Sequence, residues 1–474
     1  MAGIGFELRE LLRRDSLWGL VRAYAYAGII SSGPWVLSIL GVMGIGLLSV
    51  GPVPALEVRQ FLVSVTYLMA GSLILTGALQ LTFTRFIADR LFEKAEGSVL
   101  PNLIGALTLT VAAAGALGTL TFLLLWSRAS ALGSLGPGPW AGGGTVVFRL
   151  LLVVTLAALS ACWITVVLLS GLKEYRRVMG SFLGGYLVSF GAALALRPFG
   201  LSGLLGGFLL GQLLLLFLML ALVVARYPSD RLLSFDFLDR RRAYLSLSAT
   251  GLLYNFGIWA DKLIFWFTPS TSEPVLGPLR ASIIYDLPIF LAYLSIVPGM
   301  AVFLVRVETD FAEAYDRFFE AVRGGETLAE IRRRRDRLTL AVRRGVGEIF
   351  KIQGITVLVL LLAGPRLLDY VGISRLHLQL FSIDLVGVAM QVLMLAVFNV
   401  LFYLDERRAV LGLAAAFVAI NVVLTIASQQ AGPAFYGYGF SLSTTVTSIA
   451  GLLITSRKLD RLEMNTFMRA GSTA

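Results

Sequence analysis

Apolar residues run along this chain in long blocks. They lack the alternation of a half-buried strand and the narrow stripe of a soluble helix. Twelve blocks stand out, at 24–50, 60–88, 102–126, 145–172, 178–196, 201–225, 243–267, 281–305, 347–367, 378–403, 409–428 and 435–455. Each approaches or exceeds the roughly 20 residues needed to cross about 30 Å of hydrocarbon at about 1.5 Å per residue. The pattern predicts an all-α polytopic membrane protein with about twelve transmembrane helices. Most connections are short and polar. The longest, 306–346, reads as charged helix.

Composition agrees. Of 474 residues, 57% are hydrophobic and 15% charged, against about 25% charged in a soluble domain. The net charge of +11 does not point to nucleic acid, because the basic residues sit between apolar spans. Their placement sets orientation instead. With the N-terminus inside, the outer segments hold only Arg59, Arg128, Arg149, Arg197, Arg280, Arg366 and Arg375, out of 40 Lys and Arg. Both termini are therefore expected in the cytoplasm. Ahead of the first block, Ile4, Leu8, Leu11 and Leu12 follow a helical stripe flanked by Glu7, Glu10, Arg13 and Arg14. Residues 1–19 are read as an amphipathic helix in the cytoplasmic interface, the alternative being a soluble extension. No apolar core separates these arginines from Ala23-Tyr24-Ala25, so a cleavable signal is not expected.

The chain also repeats itself. Arg22-Ala23-Tyr24 opens the first block and Arg242-Ala243-Tyr244 the seventh. Asp89-Arg90-Leu91-Phe92-Glu93 follows the second, and Asp316-Arg317-Phe318-Phe319-Glu320 the eighth. Two six-helix lobes in the same orientation are expected, 20–225 and 243–474, joined by a basic linker at 226–242, with any substrate path between them. Within the first block, Ser31-Ser32-Gly33-Pro34 places a proline about 15 Å past Tyr24, near the midplane. Pro288 and Pro298-Gly299 interrupt the eighth. Gly33, Pro34, Pro298 and Gly299 are candidate hinges, with static kinks as the alternative.

The candidate chemistry lies in the seventh block, where Asp261 and Lys262 sit side by side in an apolar, aromatic stretch. Both are costly in a bilayer. Neighbouring helical positions point about 100° apart, so the two are not expected to pair. Asp286 and Asp384 lie at similar depth in the eighth and tenth blocks, and Lys262 is expected to reach one of them. Asn255, Gln391 and Asn399 add polar groups, and Trp259, Trp266 and Phe267 add rings. Two readings stand. One is a salt bridge that clasps helices. The other is a hydrated cavity whose carboxylates bind a proton, a cation or sugar hydroxyls, with aromatic faces packing on sugar C–H groups. Tryptophan near a membrane end is also an ordinary interfacial anchor.

Other chemistries are set aside. Cys162 is the lone cysteine and His377 the lone histidine, so an internal disulfide and a Cys/His metal site are excluded. No phosphate-binding loop or dinucleotide fingerprint occurs, and no cofactor is expected. The run Arg332-Arg333-Arg334-Arg335 is a candidate contact for anionic lipid or an acidic partner, or a plain cytoplasmic anchor.

Three stretches carry a resemblance: "MAGIGFELRELLRRDS", "AYAYAGIISSGPW" and "GIWADKLIFWF". With the length and helix count, they resemble the PelG family, inner-membrane transporters of the Pel exopolysaccharide system. That family is similar to the multidrug/oligosaccharidyl-lipid/polysaccharide (MOP) flippases. The resemblance implies a MATE/flippase-like pair of lobes forming a V, alternating access and a central cavity. It implies a hexosamine-rich polymer as cargo in biofilm formation. It also implies a cytoplasmic glycosyltransferase and two membrane partners, one of them a cyclic-di-GMP receptor. A small-molecule antiporter of the same architecture and a non-transporting scaffold for a polysaccharide synthase remain the alternatives.

Overall fold

The computed structural model describes residues 17–121, 123, 143–172, 174–239, 244–464 and 466. All but the last three residues of the expected interfacial helix, 1–19, lie outside them, as do Arg242 and Ala243 of the expected repeat. The described chain is almost entirely helical. In order it forms α1 (Leu17–Ser49), α2 (Ala55–Phe92), α3 (Val99–Thr121), α4 (Gly143–Gly171), α5 (Tyr175–Leu196), α6 (Gly200–Arg226) and α7 (Leu245–Phe267). A hairpin of β1 (Glu273–Leu276) and β2 (Leu279–Ala281) follows. Then come α8 (Ile283–Tyr293), α9 (Ile296–Val305), α10 (Ala312–Arg323), α11 (Leu328–Val371), α12 (Leu378–Tyr403), α13 (Arg407–Ala431) and α14 (Tyr438–Asp460).

Among the described residues, 9 helical stretches are long and apolar enough to cross a membrane, and the bent α1 makes a tenth. The sequence predicts twelve. The difference has two sources. One stretch, Arg176–Arg226, contains both α5 and α6. The other is α7, which carries Asn255, Asp261 and Lys262 and is not among these stretches.

The helices gather into two compact units, one of Gly33–Ile283 and one of Met1–Ser32 with Ile284–Ala474. This division differs from the lobes expected at 20–225 and 243–474. The seventh helix packs with the helices that precede it, chiefly α2. The chain changes unit within α1, between Ser32 and Gly33. That is the Ser-Ser-Gly-Pro sequence singled out above. Pro34 lacks the N–H that would bond the Ile30 carbonyl. Ser31 and Ser32 donate instead to the carbonyls of Ala27 and Gly28, at 2.7 and 2.6 Å, a local bonding pattern that also bends helices.

In the Gly33–Ile283 unit, small residues set the closest helix crossing. Gly203, Gly207 and Gly211 recur every four residues on α6; Gly207 and Gly211 face Ala193, Ser189 and Gly185 at the same spacing on α5, and Gly203 meets Leu196 and Phe199. A Cβ on Gly207 or Gly211 would overlap the backbone of α5. This is the small-xxx-small packing of membrane helices. Ser189 Oγ donates to the Phe208 carbonyl at 3.1 Å and accepts from Gln212 at 3.3 Å. The segment expected as a basic linker is partly docked. Phe237 is buried against Phe83 and Phe86. Ser234 N–H donates to the Pro101 carbonyl at 3.1 Å, and Asn102 donates to Asp236 at 3.2 Å. Phe237 is the residue that docks it, while Phe235 and Leu238 stay exposed.

In the other unit the eighth span is broken at Leu294–Ser295. Pro298 is the cause, since its ring collides with the carbonyl four residues back, at Leu294. A π turn at Arg306–Phe311 then leads into α10, and α10 and α11 carry the charged helix expected at 306–346. Helix α11 is 44 residues long. It starts at a Thr327 cap that accepts from Glu330 N–H, an S/T-x-x-E box. It ends at Gly372 in the left-handed region, with Ile373 N–H returning to the Leu368 carbonyl at 2.8 Å.

Candidate functional site

The site is built on α7 and the elements that hold it. Helix α7 crosses α2 at a glycine pair. A Cβ on Gly77 would lie 2.7 Å from the Gly251 carbonyl oxygen, and one on Gly251 would overlap the Gly77 carbonyl. Backbones therefore meet here, which only residues without side chains allow. One turn later Asn255 returns its amide to the Gly251 carbonyl at 2.9 Å and lies alongside Gly77. The expected candidate Asn255 thus sits at the crossing.

Past the crossing, Asp261 is 0% and Lys262 1% exposed. The structure corrects the expectation that they avoid each other. Lys262 Nζ lies 3.2 and 3.0 Å from the two Asp261 carboxylate oxygens and 3.0 Å from the Ile258 carbonyl. The ammonium donates to all three. The four-carbon stem makes this possible. It folds back toward the helix N-terminus, the direction in which helical Cβ atoms tilt, so the ammonium reaches the preceding residue despite the angle between the two Cα–Cβ bonds.

Aromatic residues flank the pair along α7. Trp259 is 4% and Trp266 1% exposed, with ring centres 6.1 Å apart. Tyr67 of α2 stacks on Trp266 at 4.5 Å and meets Phe267 edge-on. Above them the β1–β2 hairpin is strapped to α2. Arg59 pairs with Glu273 at 2.7 Å, Gln60 donates to the Val275 carbonyl at 3.2 Å, and Tyr67 donates to the Arg280 carbonyl at 2.9 Å. The residue pattern did not reveal this strap or the stack. Opposite charges at Arg59 and Glu273 were the available signal.

Asp286 and Asp384 belong to the other unit. Asp286 lies in the first turn of α8, half-buried. Asp384 on α12 is fully buried, and a Cβ on Gly437 would lie 3.0 Å from its Oδ1. Gln391 is also buried there, and Asn399 faces Glu308 at 3.5 Å. Gly299 is buried against the Gln353 amide of α11, while the break it was expected to mark falls one turn earlier. The arginine run is engaged internally. Arg333 and Arg334 pair with Glu330, Arg334 also with Glu326, Arg335 with Asp336 and Glu463, and Arg332 with Glu463. A further cluster went unnoticed in the sequence. Arg306, at the start of the π turn, holds Asp310 at 2.7 Å and Glu348 of α11 at 2.5 Å.

This fold is that of the MATE transporters of the MOP superfamily. A crystal structure of MATE in the bent conformation matches with a TM-score of 0.64 at 15% identity, covering 98% of this chain and 99% of that one. A multidrug resistance MATE transporter matches in its outward-facing conformation (0.60, 15% identity, 98% and 99% covered). An inward-facing conformation matches too (0.62, 15% identity, 90% and 95% covered). No curated protein sequence matches the chain. The particular family is fixed by its model, "PelG: Putative exopolysaccharide Exporter (EPS-E)", which matches residues 1–467. The chain belongs to the PelG family, and it is a multi-pass membrane transporter.

Proposed function

We propose that the chain moves a hexosamine-rich exopolysaccharide of the Pel type across the bacterial inner membrane for biofilm matrix formation. The observation that carries this reading is the PelG family match over residues 1–467. The transporter fold supports it, and the outward-facing and inward-facing conformations of its structural relatives suggest how. This chain alternates access in the same manner, flexing at Gly33–Pro34 in α1 and at the Leu294–Ser295 break. It works in a synthase complex with a cytoplasmic glycosyltransferase and membrane partners that include a cyclic-di-GMP receptor. Both termini face the cytoplasm, with the arginine-rich end of α11 on that side.

The buried Asp261–Lys262 pair is the coupling element of this reading. Its burial and its ion pair on α7 support that assignment. Trp259 and Trp266 offer flat faces of the kind that pack on sugar C–H groups.

The test is purification of the chain from polymer-producing cells, followed by acid hydrolysis and sugar analysis of what copurifies. Hexosamine bound in stoichiometric excess is the expected result. Absence of sugar, together with drug efflux by reconstituted protein, would assign the chain to the small-molecule antiporters instead.

A further inference from the structure

The four-arginine run at Arg332–Arg335 is spent on internal ion pairs. Further cations follow along the same helix, Arg337 first and then a group of three. Arg343, Arg344 and Lys351 of α11 are exposed, and among the described residues none has an ion-pair or hydrogen-bond partner. The nearest acid on this face, Glu348, is one turn from Arg344. Its carboxylate is taken by Arg306 at 2.5 Å, so it does not neutralise them.

Their register places them together. Arg344 and Lys351 are seven residues apart, which brings them to nearly the same face at 100° per residue. Arg343 flanks Arg344. Between and beyond them, Gly347 and Gly354 leave open space, with nothing within 4 Å of where a Cβ would stand. The face is continuous with an exposed apolar surface of Phe350, Ile355, Leu358, Val359 and Leu362, the last 85% exposed.

Their depth fits a headgroup layer. Between Lys351 and Arg366 the helix carries no charge. Those roughly 15 residues rise about 22 Å. With both end cations reaching outward, this matches a hydrocarbon core of about 30 Å. Arg343 and Arg344 lie about 10 Å further along the helix, where lipid phosphates sit.

We propose that Arg343, Arg344 and Lys351 form a binding site for an anionic phospholipid, whose acyl chains lie along the exposed face from Phe350 to Leu362. The joined apolar surface is what selects a lipid over an acidic protein segment. An acidic peptide would leave Phe350 and Leu362 uncovered. The site is independent of the cargo assigned above, because it follows from the spans and charges alone.

The experiment is native mass spectrometry of the purified protein in detergent, titrated with phosphatidylglycerol and with phosphatidylcholine. The wild type is expected to retain phosphatidylglycerol preferentially, and added salt to reduce that preference. Arg343→Gln, Arg344→Gln and Lys351→Gln should each weaken it by about fivefold. Arg332→Gln with Arg333→Gln should leave it unchanged. Arg344→Lys, which keeps the charge, should retain it and guards against loss through misfolding. Equal retention of both lipids by the wild type would overturn the proposal. So would an undiminished preference in a triple Gln variant, or a preference that follows Arg332 and Arg333.

Discussion

Lys262 shows how far a side-chain rule reaches. The rule that adjacent helical positions do not pair concerns side chains that can each turn to solvent. Inside a bilayer unit, a long ammonium stem can fold back on Asp261 and Ile258. The presence of the charges in the C-terminal half of the seventh helix was legible in the sequence. Their partnership was not, because it depends on stem length and local dielectric rather than on spacing. Removing one member strands a charge at a site with 0–1% exposure. Lys262→Met is expected to cost about 3–5 kcal/mol, read as a lowered unfolding midpoint in detergent. Asp261→Asn with Lys262→Met should recover most of it. If Lys262→Met leaves the midpoint unchanged, the pair is not what holds that stretch together. Full secretion by a folded double variant would reduce the pair to a structural clasp.

At the scale of elements, the α2–α7 crossing depends on two hydrogen atoms. Gly251→Ala would drive a methyl into the Gly77 carbonyl, and overpacking of that kind costs about 1–3 kcal/mol. Gly347→Ala on α11 is the matched control. It adds the same methyl in open space and should stabilise by about 0.5–1 kcal/mol through helix propensity. Equal midpoints for the two variants would refute the crossing. The two proline breaks belong to this scale as well. Pro34→Ala and Pro298→Ala each restore a backbone donor, for the Ile30 and Leu294 carbonyls respectively. Both should fold at least as well as the wild type, and both should slow export if bending is part of the cycle. Normal secretion by both would make them fixed kinks. Their positions could be read from the sequence. The actual break at Leu294–Ser295 sits a turn before Pro298 because the proline acts on the carbonyl four residues behind it. The docking of Phe237 was hidden by the arginines around it. The α5–α6 crossing was open to reading in the four-residue spacing of its glycines.

At the scale of the molecule, apolar blocks revealed a polytopic bundle, since backbone satisfaction in lipid leaves helices as the available form. They did not reveal that the seventh helix groups with Gly33–Ile283 or that the chain changes unit inside α1. Such grouping depends on which surfaces fit, and the Gly77–Gly251 contact is decided across about 170 residues of sequence. The orientation gives a check of its own. Cysteines introduced at Gly97 and Gly324 should both react with an impermeant thiol reagent from the cytoplasmic side. Labelling on opposite sides would break the assignment, because both sites end helices that leave on the basic side.

The claim on which the account rests is that this chain exports polymer. The direct measurement is where the polysaccharide lies in cells that lack the chain but keep the rest of the synthesis machinery. Hexosamine polymer should be made and held inside the cell, and it should move to the medium when the wild-type chain is restored. Polymer secreted as before in its absence would contradict the account. So would cells that make no polymer anywhere, which would identify the chain as a scaffold for the synthase rather than its exporter.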